Sequence, residues 1–242
     1  MDSEDFWNNF KWTLKARKIL KGIEDFPEGS KIILLLRHSH RNEPLNLGDL
    51  SKEKLTEIGH NAAKRFGEEL PIDRSIRLFH SVVWRCQETA EDILEGFRRK
   101  TGLGKMKGTL QPLYFIGTAP NFFVNIFKKM TPLRFMNLWI AGHYSPETII
   151  PFQSYCKNAA DIIWNKIKSA PEKGIDIHVS HDILLIALRY GWFGIPPRKK
   201  WIPFLGGFAL ILHNDKIRVF NDNEFIEMDP PYWWKNKNKS SI

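Results

Sequence analysis

Five consecutive aliphatic residues, Ile32 to Leu36, are followed at once by the segment Arg-His-Ser-His-Arg. A short, continuous apolar run is typical of a β-strand covered on both faces, as in the parallel sheets of α/β proteins. A buried strand that ends in so much positive charge needs a negative partner at that end. The candidates are a phosphate group, carboxylates from elsewhere in the chain, or water. This segment therefore predicts a sheet with two covered faces and a cationic site at its edge.

Strand-like and helix-like patterns alternate along the rest of the chain. The predicted elements after the first strand are a helix at about 51–70, a strand at 76–79, a helix through 89–97, a helix at 155–167, a strand at 175–179, a helix ending at Gly191, and a hairpin of 208–212 and 217–220 joined across Asn214-Asp215. This order predicts an α/β fold, a three-layer sandwich with a mostly parallel central sheet, helices on both faces and a small helical insertion.

One region departs from this alternation. Residues 106–152 are rich in Phe, Pro, Met and Trp and have no clear period. We interpret the chain as a single domain over residues 1–242, with a core of about 28–105 and 170–230 and an insertion or lid over about 106–169. Substrate identity is expected to depend on this insertion and on the segment WIPFLGG, residues 201–207.

Composition narrows the classes of partner. The formal net charge of +9 favours anionic partners such as phosphorylated metabolites, nucleic acid or an acidic membrane surface. No apolar run approaches the roughly 20 residues that a membrane-spanning helix needs, and no RNA-binding signature is present. The two cysteines form no CxxC pair, which predicts free thiols rather than a disulfide framework or a zinc site. We therefore expect a cytoplasmic protein whose partner is a phosphorylated small molecule or phosphoprotein.

Three predicted strands deliver polar residues at the same edge. Arg37 and His38 follow the first strand, the tripeptide Ser-His-Asp at 180–182 follows the strand at 175–179, and Arg85 lies near the start of the helix after the second strand. In open α/β sheets, ligands bind beyond the carboxyl ends of the strands. The alternative is that these charges are separately solvated, but their convergence favours one anion site.

The same segments resemble a known family. RHSHRNEP is similar to the RHGxRxP signature of the histidine phosphatase superfamily, in particular its acid phosphatase branch, and VSHD is similar to the later HD motif. HSVVWRCQETA resembles the segment that carries the family's next arginine, and LTEIGHNAAKRFGEEL resembles the helix after the first motif. The resemblance covers about two thirds of the chain. It implies a phosphoglycerate mutase-like fold and the hydrolysis of phosphomonoesters.

The resemblance also implies roles for individual residues. His38 becomes the nucleophile that forms a phosphohistidine, and Asp182 becomes the acid that protonates the leaving alcohol and then activates water. The residues implied to bind the phosphate are Arg37, Arg41, Arg85 and His181. Arginine suits this role because its planar fork matches phosphate oxygens and stays charged. The implied chemistry needs no metal and no organic cofactor.

Each of these residues has a structural alternative. His38 can be a satisfied histidine at a strand end, and Arg85 can be a solvated helix residue. His181 and Asp182 can form the N-terminal cap of a helix. The acidic residues with which Arg37 and Arg41 can pair instead are Glu43, Asp49 and Glu57.

The remaining histidines are interpreted as structural: His40, His60, His80, His143, His178 and His213. Among them His40 lies inside the first motif. The family pattern has Gly after the catalytic histidine, where this chain has Ser39. The added Cβ and hydroxyl can either crowd the phosphate or donate to one of its oxygens.

The position of the acid separates hydrolysis from mutase chemistry. Mutase-like members carry a Glu between the second arginine and the HD-type motif. Between Arg98 and Ala160 this chain has a single acidic residue, Glu147, and the carboxylates at 88–95 come too early. Asp182 is the better acid, which favours hydrolysis. The competing hypothesis is a weak or inactive member that binds phosphorylated protein or nucleic acid without turnover.

Overall fold

The computed structural model describes residues 3–43, 52–100, 103–114, 116–117, 122–197 and 201–234. Within these ranges the strands are β1 (Ile32–Arg37), β2 (Ile76–His80), β3 (Gly104–Thr109), β4 (Ile175–Ser180), β5 (Gly207–His213), β6 (Lys216–Asn221) and β7 (Glu224–Met228). The α-helices are α1 (Ser3–Asn9), α2 (Thr13–Glu24), α3 (Glu57–Glu68), α4 (Trp84–Arg98), α5 (Phe122–Phe127), α6 (Pro132–Ile140), α7 (Phe152–Lys166) and α8 (Asp182–Phe193).

The described strands form one seven-stranded sheet in the order β3-β2-β4-β1-β5-β6-β7. Strands β1 to β4 run parallel to one another, whereas β5, β6 and β7 continue the sheet in antiparallel fashion from β1. The predicted α/β architecture, with a mostly parallel centre and helices on both faces, is confirmed.

The aliphatic run at β1 faces two different cores. Ile32, Leu34 and Leu36 pack with the helices α2, α3 and α4, while Ile33 and Leu35 pack with α6, α7 and α8. All five side chains are fully buried. Alternate residues of a strand point to opposite faces, so a strand covered on both faces is apolar throughout.

Two predicted helix ends are wrong. The helix expected from residue 51 begins at Glu57, because the Thr56 side chain accepts a hydrogen bond from Gly59 N and caps it. The helix expected to end at Gly191 continues to Phe193 and ends at Gly194, whose φ of 68° is the left-handed conformation that glycine adopts without strain. Residue 51 itself lies outside the described residues.

The first residues of the predicted insertion, from 106 to 109, belong to the central sheet. Residues 104–109 form β3, which pairs with β2 at the edge of the sheet. At the other end of the predicted insertion, α7 contributes Ala159, Ala160 and Ile163 to the core beneath α8. Helices α5 and α6 lie between these elements, and their aromatic residues Phe122 and Phe135 join the same core.

The hairpin predicted across Asn214-Asp215 is confirmed as β5 and β6. Both turn residues have positive φ, 48° and 58°, as expected for a tight hairpin turn. A second such turn at Asp222-Asn223, with φ of 55° and 76°, leads into β7, which the sequence analysis did not predict. The helices α1 and α2 were not predicted either.

Candidate active site

The carboxyl ends of β2, β4 and β1 lie side by side because these three strands are adjacent and parallel. Backbone hydrogen bonds continue past the strand ends: His38 N donates to Ser180 O at 3.0 Å, and Ser81 N donates to Val179 O at 3.0 Å. The three loops that leave the sheet here are therefore fixed relative to one another. All six residues singled out in the sequence lie on or beside these loops, namely Arg37, His38, Arg41, Arg85, His181 and Asp182.

His38 is held in one tautomer. Its Nδ1 lies 2.8 Å from the carbonyl oxygen of Ser39, and a carbonyl only accepts, so Nδ1 carries the proton. Nε2 then has a free lone pair, which accepts a hydrogen bond from Arg85 Nε at 3.1 Å. Burial, followed by the positive charges of Arg85 and Arg37, holds the pKa of His38 well below its usual value. The ring is therefore neutral, with the lone pair of Nε2 turned toward a guanidinium.

His181 contacts the same guanidinium, that of Arg85, through a different nitrogen from the one that contacts His38. Arg85 Nη2 donates to His181 Nδ1 at 3.3 Å, and His181 Nε2 donates to Ser81 Oγ at 3.0 Å. The rings of His38 and His181 are 5.6 Å apart between centroids. Burial and then Arg85 also hold the pKa of His181 well below its usual value. Arg85 thus bridges two neutral histidines, and at 6% exposure it is not a solvated helix residue.

Arg37 pairs with the candidate acid. Its Nη2 lies 3.0 Å from Asp182 Oδ2, and its Nη1 donates to Ile202 O at 2.7 Å. The guanidinium also lies over the ring of Phe204, at 4.4 Å from the centroid. Of the acidic partners considered for Arg37, Glu43 and Glu57 form no ion pair with it in the described part of the chain. Asp49 lies outside the described residues.

Arg41 lies at the edge of the cluster and is 8% exposed. Its Nη1 donates to Asn42 O at 2.6 Å and lies 3.3 Å from Glu43 Oε2, so one of the alternative ion pairs is present. Glu43 is 80% exposed, and an ion pair of that kind contributes little stability. Burial is the main cause that lowers the pKa values of Arg37, Arg85 and His181, and the positive charge of Arg41 lowers them further. It therefore adds positive charge to the site.

Asp182 is the first residue of α8, and His181 is its N-cap residue. Asp182 Oδ1 accepts a hydrogen bond from Ile183 N at 2.8 Å, while Oδ2 faces Arg37. The carboxylate thus helps to begin the helix and also faces the site. Both interpretations of Asp182 are compatible with this geometry.

Ser39 fits without strain. Its backbone conformation is not among the positive-φ residues of the described chain, so glycine is not required there. Ser39 N donates to Thr89 Oγ1 at 2.9 Å, and Ser39 Oγ donates to Gly59 O at 2.7 Å. The hydroxyl proton is therefore used by α3 and is not available to a phosphate oxygen. The requirement for glycine lies instead at Gly59, where a Cβ would overlap the carbonyl oxygen of His40.

Comparison with known proteins adds to this geometry. No family model matches the sequence, and no curated protein matches it. A mycobacterial glucosyl-3-phosphoglycerate phosphatase in complex with VO3 superposes with a TM-score of 0.53 over 74% of this chain and 92% of that one, at 16% identity. A phosphoserine phosphatase from Entamoeba histolytica, in complex with 3-phosphoglyceric acid, gives 0.51 over 83% and 96%, at 14% identity. The chain has the phosphoglycerate mutase-like fold. The fold that the sequence resemblance implied is confirmed.

Several residues beside this edge of the phosphoglycerate mutase-like fold were missed in the sequence. Ser81 orients His181, Thr89 holds the backbone of Ser39, and Phe204 supports Arg37. Trp12 stacks on His40 with ring centroids 5.7 Å apart. Signals existed for Ser81 and Thr89, which lie in the quoted segment HSVVWRCQETA, and for Phe204, which lies in the segment WIPFLGG. There was none for Trp12, which is distant in sequence from every motif.

The charge of the site suits an anion. Three guanidinium groups and two neutral imidazoles lie at this edge, and among the described residues the carboxylates paired with them are those of Asp182 and the exposed Glu43. In the part of the chain that the structure describes, no three His, Cys, Asp or Glu side chains are arranged to hold a metal ion. Cys86 and Cys156 are buried and unpaired, as predicted, and burial raises the pKa of the Cys86 thiol to about 12. None of the described helices combines the length and apolar character needed to cross a bilayer.

Proposed function

We propose that this protein hydrolyses phosphomonoesters through a phosphohistidine formed on Nε2 of His38. The observation that carries the proposal is the hydrogen bond from Nδ1 to the Ser39 carbonyl, which leaves the lone pair on Nε2, beside Arg85. A nucleophilic imidazole needs a free lone pair on the attacking nitrogen. Burial, together with the neighbouring cations, lowers the pKa of His38, and the neutral ring keeps that lone pair.

In the proposed complex, the guanidinium groups of Arg37, Arg41 and Arg85 bind the phosphate together. Arg85 and Arg37 each present N–H groups at the site, and their forked geometry matches two phosphate oxygens at once. Arg41 supplies further positive charge, and His181 completes the site opposite His38. Phosphoryl transfer depends mainly on positioning and on stabilising charge on the equatorial oxygens. This arrangement supplies both.

The reaction then has two steps. Asp182 enters the first step in its protonated form. His38 Nε2 attacks phosphorus and the bond to the ester oxygen breaks, while Asp182 gives its proton to that oxygen so that the alcohol leaves and the Asp182 carboxylate remains beside Arg37. Water next attacks the phosphorus and the P–N bond breaks. Asp182 takes the proton from that water, and inorganic phosphate is released. The second step returns the proton to Asp182 and the lone pair to His38, so both residues end the cycle as they began it.

The substrate class we propose is a phosphorylated small molecule. The two structural neighbours described above are phosphatases of glucosyl-3-phosphoglycerate and phosphoserine by name, and one was solved with 3-phosphoglyceric acid. The +9 net charge of the chain favours such anions. The cytoplasmic location that we propose is supported by the two thiols, which are buried and unpaired.

Rapid-quench experiments with a radiolabelled aryl phosphate test the proposal. We expect p-nitrophenyl phosphate to be hydrolysed and an acid-labile, alkali-stable label to appear on the protein within one turnover. The alternative function, phosphate binding without turnover, would give vanadate or phosphate binding with neither hydrolysis nor label. That outcome would replace the proposal by a binding role.

A further inference from the structure

The segment 201–207 is attached directly to the end of β1. Gly206 O accepts a hydrogen bond from Arg37 N at 2.8 Å, and Leu205 N donates to His38 O at 3.4 Å. Leu205 is fully buried and has a positive φ of 51°. A non-glycine residue in that conformation is held there by its surroundings. The segment is therefore a fixed wall beside the site.

This wall contacts the guanidinium of Arg37 in two directions. The Ile202 carbonyl accepts from Nη1 in the plane of the guanidinium, and the Phe204 ring covers its face at 4.4 Å. Stacking on an aromatic ring leaves the in-plane N–H groups of arginine free to bind oxygens. Phe204 therefore restrains Arg37 without using any donor that a phosphate would need.

The Phe204 ring is itself held in place. Its centroid lies 5.1 Å from that of His40 and 6.2 Å from that of Trp12, both edge-on, and 5.7 Å from that of His38. Trp12 is the residue that precedes α2, so the N-terminal helices reach this side of the site. A half-buried ring with three aromatic neighbours loses little further freedom when a ligand binds.

We infer that Phe204 is a positioning residue for phosphate binding, which holds the Arg37 guanidinium in the orientation that receives the phosphate. The inference rests on the proposed function, because it takes Arg37 as a phosphate ligand. Arginine has several rotatable bonds, and fixing them before binding lowers the entropic cost of binding. Phe204 acts through Arg37 and does not touch the phosphate itself.

Calorimetric titration with inorganic phosphate at low ionic strength tests this role. Phe204→Leu removes the ring but keeps an apolar side chain, and we expect it to weaken phosphate binding about 3- to 30-fold, the range that cation–π contacts span. Phe204→Tyr keeps the ring and should bind as the wild type does. Phe204→Met serves as a second variant without a ring should the leucine variant fold poorly.

A matched control exists elsewhere on the sheet. Arg218 lies over the Phe225 ring at 4.3 Å, a half-buried contact of the same kind far from the motifs. Phe225→Leu should leave phosphate affinity unchanged. The last arm repeats Phe204→Leu in an Arg37→Lys background, where no planar guanidinium remains to be oriented, and there we expect little further loss.

The outcomes separate this inference from the proposed function. If the wild type binds no phosphate, the anion site fails and the positioning role with it. If the wild type binds and Phe204→Leu binds equally well, the positioning role is wrong while the anion site stands. The positioning role is also wrong if Phe204→Leu weakens phosphate binding in the Arg37→Lys background by the same factor as in the wild type. It is equally wrong if Phe225→Leu weakens phosphate binding as much as Phe204→Leu does. In both cases the effect would not pass through Arg37.

Discussion

The dipeptide His-Ser occurs at the carboxyl ends of both β1 and β2: His38-Ser39 follows the last residue of β1, and His80-Ser81 begins with the last residue of β2. The two ends also share a local hydrogen bond, since Nδ1 of each histidine donates to the carbonyl of the serine that follows it, at 2.8 Å in both cases. Both histidines are buried, at 2% and 5% exposure. A buried histidine with the same fixed tautomer therefore occurs at the ends of two strands, β1 and β2, which are separated in the sheet by β4.

The two ends differ in what surrounds the ring. Nε2 of His38 accepts a hydrogen bond from Arg85, whereas among the described residues no guanidinium hydrogen-bonds to His80. Ser39 Oγ donates to the backbone of α3, whereas Ser81 Oγ binds His181. A buried histidine with a fixed tautomer is thus a product of strand-end geometry. It becomes a candidate nucleophile only where α4 brings a cation to its free nitrogen.

The sharpest test of this comparison replaces each histidine by asparagine. The asparagine amide can donate to the following carbonyl as Nδ1–H does, but it offers no nucleophilic nitrogen. We expect His38→Asn to lower turnover of p-nitrophenyl phosphate by at least about 10³-fold, as removal of a nucleophile does. His80→Asn should retain turnover within a factor of a few. Equal losses in the two variants would mean that the strand-end geometry, not the nucleophile, was being measured.

Asp182→Asn should separate substrates by their leaving group. A nitrophenolate leaves without a proton, whereas an alkoxide needs one, so kcat for alkyl phosphates should fall about 10²- to 10⁴-fold more than kcat for aryl phosphates. Parallel steady-state measurements on the two substrates give that ratio. Equal losses on both would assign Asp182 to the start of α8 alone.

The guanidinium that distinguishes the two strand ends can be removed directly. Arg85→Met should weaken inorganic phosphate binding about 10- to 100-fold, the loss expected for a charged hydrogen-bond donor. Arg98 lies at the opposite end of α4, where it donates to Gly104 O, and Arg98→Met is the matched control. Wild-type affinity should also fall as salt is raised, because salt screens the attraction. If Arg85→Met binds phosphate as tightly as the wild type, Arg85 is not what distinguishes the strand end at His38 from the one at His80.

A third buried histidine, His178 in the middle of β4, shows what burial does to a histidine away from the site; the charges of Arg77 and Lys166 add to the effect. Its ring stacks on Phe79, and burial lowers its pKa to about 3. The unfolded chain then binds a proton below pH 6.5 that the native state does not, so the free energy of unfolding falls as pH decreases from 6.5 toward 3. The slope due to one such group is at most about 1.4 kcal/mol per pH unit.

Urea denaturation at pH 7 and pH 5 measures this effect. His178→Leu should lose less stability between the two pH values than the wild type, whatever its absolute stability. An identical loss would show that His178 is protonated in the native protein. A neutral ring is therefore not by itself a mark of function.

The smallest expected effect concerns Ser39. Ser39→Ala removes the hydrogen bond to Gly59 O and should reduce the free energy of unfolding by about 1 kcal/mol. Turnover should stay close to that of the wild type, since the hydroxyl belongs to the contact with α3. A large loss of turnover with unchanged stability would instead place that hydroxyl in the phosphate site.

The sequence was sufficient where local pattern and burial coincide. The aliphatic run of β1 predicted a strand covered on both faces, and the polar residues after β1 and β4 predicted a shared edge. Strand β3 was missed because Gly-Lys-Met-Lys-Gly-Thr at the edge of a sheet has neither a continuous apolar run nor strong β-formers. Phe204 and Trp12 were missed because their contacts join residues 192 positions apart, which no local period encodes.

In the mechanism that we propose, the hydrogen bond between Arg85 and His38 would make the reactivity of this imidazole depend on its target. An uncharged electrophile has no anionic oxygen to accept the hydrogen bond of Arg85. The lone pair on His38 Nε2 then stays engaged by the Arg85 guanidinium. A phosphate ester carries oxygens that are better acceptors than an imidazole nitrogen, and by drawing Arg85 to themselves they release that lone pair. Discrimination against neutral alkylating or acylating compounds would thus be a property of the resting protein, exerted before any substrate is recognised by shape.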